Sequence, residues 1–235
     1  MDGTEKLQLT FAKNTDVSFP AWSPDGKQIS YALKEVGKPL QIFLIAADGS
    51  TPRPLNSGES SEADPTWSPD GSQLAFATGY HAADPGGRHI SIMDMKSAKA
   101  SRMPGTDHFA SPRWSPDGRH LVAVSSNKLL LYDFRSQTWT TLVTDAMPLS
   151  HLSWSTDSQY VHYESSVDNA GKGNQLEVKR IRVGSSKPET LFSLKDLRIF
   201  EPHFGSWSTT APDNSVVFTR DITTQEIYAL DVDFP

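Results

Sequence analysis

Three histidines stand a few residues before regularly spaced tryptophans, and imidazole nitrogens are common metal ligands and hydrogen-bonding groups. His108, His151 and His203 lie six, three and four residues before the tryptophan that follows each of them. Imidazole suits manganese or zinc, so one interpretation is a metal centre. The unequal offsets favour the other interpretation, in which the histidines are separate hydrogen-bonding or exposed side chains. We therefore predict no metal and no cofactor.

The positions one and three residues before each tryptophan would share a face if these segments are strands, because side chains alternate along a strand. The position one residue before is occupied by Ala21, Thr66, Arg113, Ser153 and Ser206. The position three residues before is occupied by Phe19, Asp64, Ser111, His151 and Phe204. A guanidinium among small side chains requires an anion or carbonyl oxygens. Asp64 is the predicted partner of Arg113, and the pair either stabilises the fold or anchors a ligand.

More polar residues precede these segments or lie in neighbouring loops. Glu62, Asp107 and Glu201 stand a few residues upstream, and the loops predicted at 79–89 and 165–175 open to the same side. Loops on a rigid scaffold commonly carry function. We predict a ligand-binding rim formed by Asp64, Arg113, His151, His108, His203 and Glu201.

An internal repeat positions these side chains. Trp-Ser-Pro-Asp-Gly begins at Trp22, Trp67 and Trp114, and diverged copies begin at Trp154 and Trp207. The tryptophans are 45, 47, 40 and 53 residues apart, close to the length of a four-stranded propeller blade. Two apolar runs typical of strands follow each tryptophan, and no long helical pattern occurs. The sequence therefore predicts an all-β fold, a β-propeller.

The motif itself has the chemistry of a tight turn. Proline at the second position of Ser-Pro-Asp-Gly suits a type I turn, and glycine at the fourth supplies a positive φ. The tryptophan before the turn offers a large apolar surface, which neighbouring sheets of a propeller must bury. We assign the motif a structural role in hairpins and in packing between blades.

We predict five four-stranded blades forming a single domain over residues 1–235. The last repeat lacks a fourth strand, while Leu7 to Phe11 forms a predicted strand outside any repeat. We expect that strand to join the last blade beside Ile227 to Leu230 and to close the ring. The alternative is a five-repeat fragment of a six-bladed or larger propeller. A closed ring predicts a monomer, and an open fragment predicts self-association through exposed apolar faces.

Composition and missing motifs exclude several function classes. The 22 basic and 28 acidic residues give a net charge of −6, and no basic run is present, so nucleic acid is not an expected partner. No apolar stretch is long enough to span a membrane, and the first residues are too polar for a signal peptide. With no cysteine, thiolate chemistry is excluded. We find no nucleophile-elbow, zincin, phosphate-loop or dinucleotide motif.

Three copies of Trp-Ser-Pro-Asp-Gly at blade spacing resemble the WD-like repeats of TolB-type β-propellers, also found in tricorn protease and prolyl oligopeptidase relatives. The resemblance covers essentially the whole chain and implies a bacterial protein that binds proteins or ligands. It also implies a periplasmic or extracytoplasmic location, often with an attached sensor, kinase or hydrolase domain. Such propellers are commonly six-bladed, so five repeats depart from the pattern. The histidines are similar to the metal centre of oligogalacturonate lyases, another propeller family.

Three functions remain open on this basis. The leading hypothesis is a non-catalytic binding or sensor propeller that recognises a protein segment or small polar ligand at the channel rim. The second is a carbohydrate-active lyase or glycosidase with its active site at the rim, which requires suitably spaced carboxylates. The third is a purely structural propeller fragment.

Overall fold

Antiparallel sheets make up the regular structure of the computed structural model. The structure describes residues 7–11, 15–56, 60–81, 84, 86–168, 174–194, 208–211, 213 and 215–218. Within these ranges, eighteen strands form four four-stranded sheets and one two-stranded sheet. The described part of the chain has no helix long and apolar enough to cross a membrane. The predicted all-β propeller is confirmed.

Each complete blade is a meander of four strands in chain order. Blade 1 comprises β1 (Thr15–Trp22), β2 (Gln28–Glu35), β3 (Gln41–Ala46) and β4 (Arg53–Pro54). Blade 2 comprises β5 (Glu62–Trp67), β6 (Gln73–Thr78), β7 (His89–Asp94) and β8 (Lys99–Arg102). Blade 3 comprises β9 (Ala110–Trp114), β10 (His120–Ser125), β11 (Lys128–Asp133) and β12 (Thr138–Thr144). Blade 4 comprises β13 (Leu149–Trp154), β14 (Tyr160–Asp168), β15 (Asn174–Arg182) and β16 (Glu189–Ser193).

The first two strands of every complete blade are joined by the predicted turn. At the fourth position of the motif stand Gly26, Gly71, Gly118 and Ser158, whose N–H groups donate to the serine carbonyl three residues earlier at 2.9 to 3.0 Å. All four have a positive φ. The β turn is therefore confirmed, and Ser158 shows that blade 4 keeps the turn without glycine.

The serine of the motif has a structural role beyond the predicted turn. In blade 3, Ser115 Oγ donates to Asp117 Oδ1 at 2.6 Å and accepts the N–H of His120 at 2.9 Å. Ser23, Ser68 and Ser155 make the equivalent two bonds in the other complete blades. One hydroxyl thus ties the aspartate of the turn to the start of the second strand.

Trp67 and Trp154 pack between neighbouring blades, as predicted. Trp67 contacts the apolar cluster containing Ile42 and Leu44 of blade 1, and its Nε1 donates to Ser30 Oγ at 3.1 Å. Trp154 Nε1 donates to the Arg113 carbonyl of blade 3 at 3.0 Å. The first strands of consecutive blades therefore lie side by side around the channel.

The number of blades differs from the prediction of five. Four blades are complete, and the fifth unit contributes only β17 (Ser208–Thr210) and β18 (Val216–Phe218) among the described residues. Asp213 Oδ1 accepts the N–H of Ser215 at 2.9 Å, as the other motif aspartates accept from the residue two positions later. The strand before this turn ends at Thr210, so the fifth turn begins three residues after the position that Trp207 predicts.

The predicted closing strand is wrong for Leu7 to Phe11, which the structure assigns to no strand. Leu9 instead packs against the apolar cluster of Ile29, Tyr31 and Phe43 on blade 1. Its predicted partner, Ile227 to Leu230, lies outside the described residues. This face of blade 1 retains a cavity of about 320 Å³ beside Leu9, and Trp22 is 60% exposed. Leu9 thus contacts the apolar surface of blade 1 without lying in a strand.

Candidate functional site

Each complete blade has a β bulge in its first strand, three residues before the tryptophan. Phe19, Asp64, Ser111 and His151 occupy the bulge with φ between 51° and 58°. Two residues of the first strand oppose one residue of the second at each of these places, so the register shifts. A left-handed conformation is unfavourable for residues other than glycine by about 1–2 kcal/mol. The propeller therefore repeats a strained bulge at one end of its channel, where it redirects side chains.

The predicted pair between Asp64 and Arg113 is present and joins blades 2 and 3. Arg113 Nη1 lies 2.7 Å from Asp64 Oδ1. The same guanidinium donates from Nε to the Leu152 carbonyl of blade 4 at 3.1 Å and from Nη1 to the Pro112 carbonyl at 2.7 Å. The Arg113 side chain is 28% exposed and that of Asp64 only 7%. One arginine thus links three blades and still reaches solvent.

His151 lies beside the Leu152 carbonyl that Arg113 contacts, and it pairs with a buried carboxylate. Its Nδ1 is 3.0 Å from Glu164 Oε2, and the Glu164 side chain is 1% exposed. Because Nδ1 faces the carboxylate, Nε2 is the ring nitrogen left for another partner. Glu164 was not predicted, since a lone glutamate at the end of a strand pattern gives no sign of burial.

An aromatic wall adjoins the pair on the side of blade 1. The rings of Phe19 and Tyr80 meet edge to face with centroids 6.4 Å apart, and both are half-buried. The Arg88 guanidinium lies 5.1 Å from the centre of the Tyr80 ring. Burial raises the pKa of the Tyr80 phenol, and the negative charge of Asp64 raises it further. The wall and the ion pair therefore share one electrostatic environment.

Gly79 fixes the loop that carries Tyr80. Its N–H donates to the Ser61 carbonyl at 2.9 Å, and a Cβ on Gly79 would lie 2.3 Å from the carbonyl oxygen of Gly87. Its φ of +70° also excludes most side chains. Position 79 and the backbone of Gly87 can therefore come this close only because residue 79 is glycine and has no Cβ. The second predicted loop, 165–175, is shorter than expected because β14 extends to Asp168 and β15 begins at Asn174.

Other predicted residues do not join this group. His108 is exposed, and its backbone N–H donates to the Arg88 carbonyl at 2.7 Å, while the neighbouring Asp107 pairs with Arg102. Glu62 is buried and accepts from Asn56, and burial raises the pKa of its carboxyl. Glu201 and His203 lie outside the described residues. Within the described ranges, no three histidine, aspartate or glutamate side chains are placed to hold a metal ion.

We name the group formed by Phe19, Asp64, Tyr80, Arg113, His151 and Glu164 the rim site. Its members come from all four complete blades. Among the described residues, it combines an ion pair, a histidine–carboxylate pair and an aromatic wall. Such an arrangement can bind a ligand that is partly polar and partly apolar.

Comparison with known proteins agrees with the fold. TolB from Acinetobacter baumannii superposes with a TM-score of 0.66 at 20% identity, covering 87% of this chain and 54% of that one. A putative TolB from Agrobacterium tumefaciens gives 0.63 at 19% identity, covering 90% and 92%. The tricorn protease gives 0.56 at 12% identity, covering 90% of this chain and 20% of the protease.

At these identities the likeness shows the fold alone, and this chain spans about half of the Acinetobacter protein. The search of curated proteins finds no significant match. The sequence model of the TolB beta propeller domain matches residues 3–182, which is most of the chain. The chain therefore belongs to the TolB beta propeller domain family.

Proposed function

We propose that this chain is a non-catalytic binding propeller that recognises a protein segment or small polar ligand at the rim site. The observation that carries the proposal is the position of Arg113. Its guanidinium is fixed by Asp64 and by carbonyls of blades 3 and 4, and it stays 28% exposed. A charged donor held in one orientation by several blades loses little entropy when a ligand binds.

The alternative is that Asp64 and Arg113 form an ion pair with a structural role only. A pair that serves only stability does not require a partly exposed histidine and an aromatic wall beside it. His151 is 21% exposed in its side chain, and its partner Glu164 is buried. Several polar groups that converge beside apolar surface are typical of ligand sites. This convergence supports binding over a purely structural role.

The test is a binding screen against a panel of short peptides and small polar molecules, followed by variants. We expect Arg113→Gln to weaken binding of any hit by about tenfold or more, because a charged hydrogen bond is lost. Arg119→Ala is the matched control, since Arg119 is an exposed arginine of the same blade, in the turn between β9 and β10. Equal affinities of wild type and Arg113→Gln for every hit would contradict the proposal.

A further inference from the structure

We propose that the rim site binds the C-terminal residue of a peptide through its carboxylate, its amide N–H and an apolar side chain. This inference rests on the proposed function, because it names the ligand class of the same site. The inference rests on one arrangement of the rim site. The partly exposed guanidinium of Arg113 has His151 on one side and the rings of Phe19 and Tyr80 on the other. Each of the three ligand groups has one matching feature.

The carboxylate matches Arg113. Asp64 and two backbone carbonyls engage Nε and Nη1, and no acceptor for Nη2 is found among the described residues. The remaining N–H groups of a planar guanidinium are directed donors for a carboxylate. Arg88 adds a second positive charge beside Tyr80, so that two guanidinium groups accompany the carboxylates of Asp64 and Glu164 in the rim site. The Nη2 edge of Arg113 therefore matches a carboxylate through directed hydrogen bonds.

The amide N–H matches His151. Nδ1 of His151 faces Glu164, so in the tautomer that donates from Nδ1 the Nε2 atom is an acceptor. His151 lies next to Leu152, whose carbonyl is bound to Arg113. The guanidinium from blade 3 thus reaches the carbonyl of the residue that follows His151 in blade 4, and the N–H and the carboxylate of a terminal residue are likewise close together in a peptide.

The apolar side chain matches Phe19 and Tyr80. The two rings meet edge to face at 6.4 Å and are only half-buried, so part of each ring can contact a ligand. Phe19 occupies in blade 1 the bulge position that His151 occupies in blade 4. The recurring bulge therefore directs an aromatic ring and an imidazole toward the same end of the channel.

The experiment compares three model compounds by calorimetric titration of the whole chain. N-acetylphenylalanine carries all three groups, N-acetylphenylalaninamide lacks the carboxylate, and N-acetylglycine lacks the side chain. We expect N-acetylphenylalanine to bind. We expect the affinity of each of the other two compounds to be lower by about tenfold or more.

Variants assign each group to its partner. Phe19→Ala is expected to weaken N-acetylphenylalanine to the level of N-acetylglycine, and Arg113→Gln is expected to remove the preference for the free acid over the amide. Phe192→Ala is the aromatic control, since Phe192 is 41% exposed and lies in blade 4 against Phe218. Circular dichroism and thermal unfolding establish that each variant is folded.

Failure of this inference is distinguishable from failure of the proposed function. If the amide binds as tightly as the acid, or if N-acetylphenylalanine does not bind, the C-terminal ligand class is wrong. If internal peptide segments or other polar molecules still bind in a manner that depends on Arg113, the proposed function stands. If no binding depends on Arg113, both are wrong.

Discussion

The rim site contains residues whose type is unfavourable in the backbone conformation that they adopt or in the buried position that they occupy. Asp64 adopts a positive φ of 58° and is almost fully buried, and its charge is balanced by Arg113. Strain and buried charge at one residue are typical of positions held by their surroundings, and they often mark functional sites. Both features support the binding role that we propose for the rim site.

At this scale we predict the stability of Asp64→Asn. The substitution keeps the shape and leaves Arg113 without its counter-ion, which we expect to lower the free energy of unfolding by about 1–3 kcal/mol. Asp107→Asn is the control, because its pair with Arg102 is exposed and worth at most about 1 kcal/mol. Urea denaturation of both variants measures the difference. Equal losses would show that Asp64 contributes no more than a surface charge.

The blades owe their regularity to the turn that joins their first two strands. Its serine makes the same two hydrogen bonds in all four complete blades. Those bonds fix where the first strand ends and therefore where the bulge three residues earlier is placed. The turn at one end of a blade thus positions the rim site at the other.

Removing one such serine should destabilise the fold. Ser115 is fully buried, so Ser115→Ala deletes both bonds and leaves the N–H of His120 without its acceptor. We expect a loss of about 1–3 kcal/mol in the free energy of unfolding. The exposed Ser97, which bonds to Asp94, is the control and should lose at most about 0.5 kcal/mol. Thermal or urea unfolding distinguishes them.

The same turns predict a dependence of stability on pH. Hydrogen bonds from the serine and from backbone N–H groups hold the pKa of Asp25, Asp70 and Asp157 below the ordinary value of an aspartate. A carboxyl with a lowered folded-state pKa stabilises the fold above its unfolded pKa, and this stabilisation is lost as the pH falls through the folded pKa. We expect the free energy of unfolding to fall in that acidic range.

Replacement of these three aspartates by asparagine tests the cause. The combined Asp25→Asn, Asp70→Asn and Asp157→Asn variant should lose stability at neutral pH and show a flatter dependence on pH in the acidic range. The measurement is the unfolding midpoint in urea at a series of pH values. A slope identical to that of the wild type would show that other carboxyls cause the acid sensitivity.

At the scale of the whole molecule, the blades are held together by apolar contacts between sheets. Trp154 is 9% exposed in the cluster that joins blades 3 and 4, whereas Trp22 on blade 1 is 60% exposed. The predictions of a monomer for a closed ring and of self-association for an open array stay predictions. The two tryptophans nevertheless make a matched pair for the energetics of blade packing.

We predict unequal effects of truncating these tryptophans. Trp154→Ala leaves a cavity between two sheets and should lower the free energy of unfolding by about 3–5 kcal/mol. Trp22→Ala removes a mostly exposed side chain and should have a much smaller effect, less than about 1.5 kcal/mol. Urea denaturation gives both values. A large loss for Trp22→Ala would show that its face is covered in solution.

Much of this architecture could be predicted from the sequence, because the motif specifies local chemistry. Serine, proline, aspartate and glycine at fixed offsets define a turn, and the spacing of tryptophans defines a blade. The pair of Asp64 and Arg113 followed from a charge among small residues. The fifth turn was misplaced because Trp207 outweighed the weaker Ala-Pro-Asp signal that follows it.

Other features depend on tertiary contacts that no local pattern records. The alternation of side chains does not reveal the bulge, since nothing in Phe19, Asp64, Ser111 and His151 marks a shared positive φ. Glu164 was missed because its burial depends on His151. Leu9 packs on blade 1 rather than joining a strand, a choice between two apolar partners that periodicity cannot make.

The most direct test of the rim site is diffraction from crystals soaked in N-acetylphenylalanine. We expect ligand density between Arg113 and His151, with the carboxylate within hydrogen-bonding distance of Arg113 Nη2 and the phenyl ring against Phe19 and Tyr80. Ligand density only in the apolar cavity beside Leu9 on blade 1, or an unliganded rim at saturating concentration, would contradict it.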